Sequence, residues 1–481
     1  MAGIGFELKR LFKEKGVVAI LKAYGYTGVV TAGPMILGVL FLLCINYMGQ
    51  LFGLNSGDRD LMVSMITYAL LGSLIITSFF SMVMTRYVAD MLYQEQEEDV
   101  LPSLEGLCMI LLPIGGILDI IFLCLSDISF TLIVINYLLF TELLIVWTLM
   151  NYLTAIKDYK GIMISYIISV AIAIFISYIL CSVFGASISV LMISICIGYG
   201  IMLCIDIVLL YRFFPNSGKN HFAFLHWFDE YMDLAIISIC TNIGLFSHLI
   251  IAWFSGAGVQ IHGLFYGAPQ HDISALFAFL TILITTINFV ASVEVNFYPK
   301  YRKYYDLFNG TGSITEIKQA EEEMITVLEH ELAYTARRQF YMTAVSLSVG
   351  LVILSKLPLG FDSLMEGYFR ILCVGYGIYA IGNVLMLILL YFTDYEGAQK
   401  ASVIFAIVTT VGCLLSLFLD IKFYGFAFAF GCVAYFLACW IRLNAYMKKL
   451  SYHILSTQPL MRIERYGFFS KLGTRLMRNK T

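Results

Sequence analysis

Apolar runs of close to 20 residues, separated by short polar connections, recur along the whole chain. Each is long enough as a helix to cross a hydrocarbon core of about 30 Å. The pattern predicts helices at 24–47, 61–86, 104–125, 131–156, 161–184, 187–211, 229–255, 272–297, 338–356, 368–392, 400–420 and 424–446. The predicted fold is therefore an all-α polytopic membrane protein of about twelve transmembrane helices. Six fall on either side of the segment 212–228, and the two longer connections, 86–103 and 298–337, take matching places after the second and eighth helices. That arrangement predicts two pseudo-symmetric six-helix bundles, as in transporters that alternate access around a midplane site.

Composition agrees: 60% of the 481 residues are hydrophobic and 13% charged, against roughly 25% charged in soluble domains. The net charge of −3 says little, but its sidedness says more. With the N-terminus inside, 26 of the 30 Lys and Arg residues fall on the cytoplasmic side; only Arg59, Lys356, Arg370 and Lys422 fall outside. The positive-inside rule thus predicts a cytoplasmic-membrane protein with both termini in the cytoplasm. The expected organisation is a basic amphipathic segment at 1–23, an N-lobe at 24–211, a linker at 212–228, a C-lobe at 229–446 with a helical insert at about 298–337, and a basic tail at 447–481. The first 23 residues do not read as a cleaved signal peptide, because the basic stretch runs into a full-length apolar segment without a small-residue cleavage site.

A charged side chain near the bilayer centre costs on the order of 2.5–3.5 kcal/mol on insertion scales, so such residues face a cavity or a partner. Glu142, Asp119 and Asp206 lie within predicted helices, as do Asn242, His248 and Asn288. They are the candidates for a substrate pathway, with structural hydrogen bonding as the competing reading. Pro34, and Pro113 with Gly115 and Gly116, mark either broken helices beside such a pathway or ordinary close packing. The eleven cysteines all fall in apolar segments without the spacing of a zinc or redox site, and read as packing residues.

No HExxH, phosphate loop, dinucleotide turn or nucleophile elbow is present, so an enzyme is not expected, nor a metal or cofactor. Asp58-Arg59-Asp60 lies in the first outer connection and reads as a polar turn. No basic domain suggests nucleic acid; the basic tail from Lys448 suits anionic lipid headgroups or a cytosolic partner.

Three stretches carry a resemblance: Met1-Ala2-Gly3-Ile4-Gly5-Phe6-Glu7-Leu8; Thr85-Arg86-Tyr87-Val88-Ala89-Asp90; and Val293-Glu294-Val295-Asn296-Phe297-Tyr298 with Tyr301-Arg302-Lys303-Tyr304-Tyr305. Together with length and topology they resemble the PelG family of Pel exopolysaccharide transporters, relatives of the multidrug, oligosaccharidyl-lipid and polysaccharide flippases. Val295 stands where that family's pattern has Thr. The resemblance implies translocation of an N-acetylhexosamine-rich polysaccharide within a synthase-dependent secretion complex. It also implies a cytosolic glycosyltransferase and membrane partners that include a cyclic-di-GMP-responsive regulator. Arg86, Asp90, Glu294, Tyr298 and Arg302 then become candidates for a cytoplasmic gate or partner surface. The alternatives are a cation-coupled drug or lipid-linked oligosaccharide transporter of the same superfamily, and a non-conducting scaffold for the glycosyltransferase.

Overall fold

The computed structural model describes residues 28, 36–214, 216, 218–310, 312–356, 361–457 and 466–478, with backbone only at 284, 290, 291 and 294. The amphipathic segment 1–23, the start of the first predicted helix and Pro34 lie outside the described residues. Helices occupy all twelve predicted places. The first is α1 (Ile36–Leu51), a shorter apolar helix over its described part. It is followed by α2 (Ser56–Tyr93), α3 (Val100–Leu125), α4 (Phe130–Ala155), α5 (Tyr159–Phe184), α6 (Ile188–Phe213), the short α7 (Leu225–Glu230) and α8 (Met232–Trp253). A small antiparallel hairpin, β1 (Val259–His262) and β2 (Phe265–Gly267), comes next. Beyond it run α9 (Pro269–Phe279), α10 (Leu283–Ala291), α11 (Tyr298–Asn309), α12 (Ile314–Val345), α13 (Leu351–Leu354), α14 (Ser363–Tyr391), α15 (Tyr395–Ser416), α16 (Tyr424–Met447), α17 (Leu450–Thr457) and α18 (Phe468–Arg478). Among the described residues ten helical stretches are long and apolar enough to cross a membrane.

Two compact units emerge, one of Pro34–Ala268 with Leu460–Thr481, the other of Met1–Gly33 with Pro269–Pro459. Contacts thus group the seventh apolar helix, α8, with the first six. Trp253 at its end stacks on Tyr68 of α2 at 4.6 Å, and Tyr68 stacks in turn on Phe122 of α3 at 5.5 Å. The hairpin closes over this stack. Phe265 meets Tyr68 edge-on, and the Tyr68 hydroxyl bonds both Tyr266 N–H and Tyr266 C=O, at 3.2 and 3.1 Å. At the tip, Gly263 has φ +54, and a Cβ there would stand 1.8 Å from Ser126 O, so only glycine fits.

Between apolar helices in lipid, small residues allow the close approach that maximises van der Waals contact. On α5, Gly161, Ser165, Ser169, Ala173, Ser177 and Cys181 recur every fourth residue and are all buried. This stripe lets α6 come so near that a Cβ on Gly198 would lie 2.6 Å from that of Ala173. Gly115 and Gly116 play the same part on α3, where added Cβ atoms would meet Leu144 and Tyr137 at 2.6 and 2.8 Å. Despite Pro113, α3 is one helix from Val100 to Leu125, so these residues serve close packing here.

In the other unit α16 packs between α14 and α15, with Tyr376 against Phe428 at 4.7 Å and Phe405 stacked on Tyr435 at 4.8 Å. The predicted insert is a helical hairpin. Ser313 and Glu316 form a capping box that starts α12. Glu323 on α12 receives Lys300 and Lys303 of α11 at 2.9 and 3.2 Å, bonds that hold its carboxyl below the usual range.

Replacing Gly198 by leucine is expected to cost about 1–3 kcal/mol through overpacking against Ala173. The check is a lower Tm of the detergent-solubilised protein, while Gly57→Ala, with open space around it, leaves the Tm in place.

Candidate functional site

The eighth apolar helix is not regular. After α9 it tightens into a 3-10 turn at Leu280–Ile282, resumes as α10, then widens into a π-helical turn at Ser292–Phe297 before α11. The long helix α12 widens in the same way at Ser346–Gly350. Such interruptions are found where helices carry function. Here they flank a ladder of polar side chains.

That ladder runs between two antiparallel helices. Gln339 of α12 donates to Thr281 O and Thr343 Oγ1, both at 3.2 Å, and accepts from Thr285 Oγ1 at 2.5 Å. Asn288 donates to Thr335 Oγ1 at 2.8 Å and accepts from Arg338 Nη1 at 3.1 Å. Glu331 then accepts from Ser292 and, at 2.8 Å, from Asn296. Thr281, Thr285, Asn288, Ser292 and Asn296 lie three or four residues apart and so share one face. Burial is nearly complete at Thr281, Thr285, Asn288, Thr335 and Gln339. Apart from the Thr281 hydroxyl, which has no hydrogen-bond partner among the described residues, these side chains find partners on the facing helix, as hydrocarbon demands. Lys300 and Lys303 with Glu323 continue the series beyond the membrane part.

Sequence reasoning identified Asn288 alone of this set. The five-residue polar stripe at helical spacing was a legible signal. Thr335, Arg338 and Gln339 were not, because they fall at the edge of an apolar run where charged residues are ordinary.

In the other unit the predicted polar residues do not converge on one site. Glu142 on α4 faces α6, with Oε1 3.4 Å from where a Cβ on Gly200 would stand and Oε2 buried without a hydrogen bond. Asp119 on α3 is buried with one oxygen unpartnered. Asp206 on α6 is wholly buried with both oxygens unpartnered. On α8, Asn242 donates within its own helix to Ser238 O at 3.0 Å, and His248 is buried.

The second motif stretch, at the end of α2, builds a compact platform on the side where the basic connections lie. Arg86 bonds Asp90 at 3.1 Å, Asp90 also accepts from Trp227 Nε1 at 2.9 Å, and the Arg86 guanidinium stands 5.3 Å over the Tyr231 ring. Tyr87 meets Trp227 edge-on at 4.8 Å. The segment 218–231 is pinned further by Gly218 N–H on Glu98 O at 2.7 Å and by His221 beside Glu105 at 3.2 Å. On its other face lies α18. Asp229 accepts from the backbone N–H groups of Gly467, Phe469 and Ser470 and from the Ser470 hydroxyl, at 3.0, 3.2, 2.7 and 2.5 Å. Burial alone would raise the Asp229 carboxyl, but these four donors outweigh it and hold it below the ordinary range. Part of the basic tail thus docks on its own chain.

The third motif stretch forms an aromatic cluster. Tyr301 packs on Tyr305 at 4.4 Å and donates to Tyr391 O at 3.0 Å, while Phe297 and Tyr304 are wholly buried. Tyr298 and Arg302 stay exposed, Arg302 paired only loosely with Asp306 at 3.5 Å. The side chain of Glu294 lies outside the described residues.

A family model described as "PelG: Putative exopolysaccharide Exporter (EPS-E)" matches residues 1–455. None of the curated proteins compared with the chain matches it. Among solved structures, an outward-facing multidrug resistance MATE family transporter of the MOP superfamily aligns at a TM-score of 0.55 and 13% identity. The alignment covers 92% of this chain and 98% of that one. A MOP superfamily transporter from Pyrococcus furiosus Vc1 (DSM3638), described by a binding pocket of reversed polarity, aligns at 0.57 and 10% identity over 92% and 98%. A MATE protein in its straight conformation gives 0.57 and 12% over 92% and 99%. At these identities the likeness establishes the fold, that of a MOP superfamily transporter.

Because its folded pKa is depressed, Asp229 contributes its stabilisation above the unfolded value near 3.9 and loses it as pH falls through the folded one. Asp229→Ala is expected to free α18 at neutral pH, read as faster proteolysis within 468–478, whereas the wild type stays protected there from neutral pH down to about 4.

Proposed function

The chain belongs to the PelG family of exopolysaccharide exporters, and from that premise we propose that it carries a Pel-like, N-acetylhexosamine-rich polysaccharide across the cytoplasmic membrane. It is a multi-pass membrane protein with a transporter's fold and family, not those of an enzyme. In this reading both termini face the cytoplasm, as the distribution of Lys and Arg favours. A cytosolic glycosyltransferase supplies the polymer, and membrane subunits that include a cyclic-di-GMP-responsive regulator complete the complex.

The observation that carries the reading is the polar ladder around Asn288. A polysaccharide brings a high density of hydroxyl and amide groups, each of which must keep a hydrogen bond while it crosses hydrocarbon. Thr, Asn, Gln and Ser side chains offer neutral donors and acceptors in the same density, and their mutual bonds can be exchanged for bonds to sugar at little net cost. Glu142, with one oxygen unpartnered, offers a further acceptor in the other unit. The exposed Tyr298 and Arg302 stand on the side where the glycosyltransferase would dock.

Sealed vesicles holding this protein and its membrane partners, given the glycosyltransferase and labelled UDP-sugars outside, are expected to accumulate polymer in the lumen that added glycosidase does not digest. Asn288→Leu should lower protected polymer at least tenfold with the complex still assembled. Polymer that stays digestible in fully assembled vesicles would leave the chain as a scaffold instead.

A further inference from the structure

The last apolar helix, α16, carries its exposed apolar residues as one stripe. Phe426, Phe430, Leu437 and Ile441 recur at spacings of four and seven, the period of a single helix face, and all are exposed. In a bilayer that stripe meets acyl chains. From Phe430 to Ile441 the helix rises about 16 Å, half of a hydrocarbon core of about 30 Å and so the depth of one leaflet. Lys448 follows at the next sevenfold step. Its backbone, at φ −62 and ψ −21, is still helical, so its side chain continues the same face. Trp440, beside Ile441, and Tyr452 of α17 are exposed as well, in the manner of amphipathic rings at a membrane interface.

Where this stripe ends, α16 and α17 enclose an open cavity of about 570 Å³. Trp440, Ile441 and Tyr452 give it apolar walls, and Arg442, Lys448 and Lys449 give it basic ones; no Asp or Glu lines it. The three cations are differently committed. Arg442 gives Nε and Nη2 to the buried Asp394, both at 2.6 Å, which fixes the guanidinium in place. Lys448 and Lys449 are exposed and have no acidic partner among the described residues. The other wall is equally fixed. In α17, Leu450 and Ile454 are buried, and Ser451 donates to Glu321 of α12 at 2.9 Å. The His453 ring lies flat on Tyr446 at 4.4 Å, and Tyr446 in turn donates to Phe392 O at 3.0 Å. The cavity is thus built into the fold before anything enters it.

We propose that this cavity is a binding site for one anionic phospholipid, whose phosphate is received by Lys448 and Lys449 beside Arg442 and whose acyl chain lies along Ile441, Leu437 and Phe430. Basic pockets at the ends of membrane helices suit such headgroups. A zwitterionic headgroup would bring its own ammonium among three cations, with no carboxylate in the lining to receive it. An acidic polypeptide or a free phosphate would answer the lysines but leave Trp440, Ile441 and the stripe above them unused; a lipid fills both halves. Its charge joins that of Asp394 as the counter-charge at this end of α16, so the contact between α14, α15 and α16 depends on the lipid around it. The assignment does not rest on the nature of the polysaccharide.

The test is native mass spectrometry and thermal melting of the purified full-length protein, delipidated in detergent and mixed with equal amounts of dioleoyl phosphatidylglycerol or dioleoyl phosphatidylcholine. The phosphatidylglycerol adduct is expected to persist preferentially and to raise the Tm with its concentration, as a ligand of the folded state does. Each lysine beside an anionic lipid is worth about fivefold in binding, so Lys448→Gln with Lys449→Gln should weaken the adduct about tenfold or more. Ile441→Asn should weaken it with both lysines in place. Lys471→Gln with Arg475→Gln, which removes the same charge from exposed positions on α18, should leave it unchanged. Lys448→Arg with Lys449→Arg should keep both adduct and Tm, which separates lost charge from damaged folding. Equal retention of the two lipids, or an equal loss in the α18 variant, overturns the proposal. So does protection by sodium phosphate or poly-glutamate as strong as that by phosphatidylglycerol, which would give the surface to a free anion or to an acidic polypeptide.

Discussion

A polar side chain inside a bilayer has no water to turn to, and the rest of this molecule is arranged around where each such group finds its partner. In the α9–α16 unit the demand is met across two helices, residue by residue, from Thr281 with Gln339 to Asn296 with Glu331. That pairing fixes the register of α10 on α12 more sharply than apolar contact would, since a slip of one turn would strand several groups at once. The π-helical turn at Ser292–Phe297 shifts the phase of the helix, and Ser292 and Asn296 still meet Glu331 on the same face. In the other unit three carboxylates, Asp119, Glu142 and Asp206, keep unpartnered oxygens. Among the described residues, the buried polar atoms left without a hydrogen bond in the α9–α16 unit are mainly hydroxyls such as those of Thr281, Tyr304 and Thr409, whereas in the other unit they include carboxylate oxygens.

Much of the fold was legible in the sequence. Apolar length and polar punctuation alone located the twelve helices, with most ends displaced by only a few residues, because the bilayer imposes one length on every span. The larger displacement came where helices leave the membrane: α2 runs past its predicted end to Tyr93, and α12 runs unbroken from Ile314, inside the expected helical insert, into the ninth apolar helix. Polar helix formers such as Glu, Gln and Lys extend a helix into water without leaving an apolar signature.

The site was less legible, and for a definite reason. A single sequence shows that Asn288 is out of place in hydrocarbon, but not that Thr335 and Arg338 are its partners, since the two helices meet only in the fold. Arg86 and Asp90 stood out as motif residues, yet their tie to Trp227 and Tyr231 spans some 140 positions and carries no local pattern. The Asp-Tyr-x-Gly that opens both α5 (Asp158–Gly161) and α15 (Asp394–Gly397), each after a residue of positive φ, was by contrast present in the letters throughout. It was hidden because apolar residues interchange freely between the two halves, leaving a handful of identities visible only after the turns are seen to share a geometry.

The docking of α18 on Asp229 has a consequence for biogenesis. The helix that completes the platform beneath α2 and α7 is encoded after the last membrane helix. At about 5–20 residues per second, the ribosome emits the 237 residues between α7 and α18 over roughly ten seconds or more. Throughout that interval the first-made unit sits in the membrane with Asp229 uncapped and the apolar face of α7 bare. It therefore offers a waiting surface to chaperones or to a partner arriving during synthesis, and a fusion placed at the end of the chain would disturb the half of the molecule that was made first.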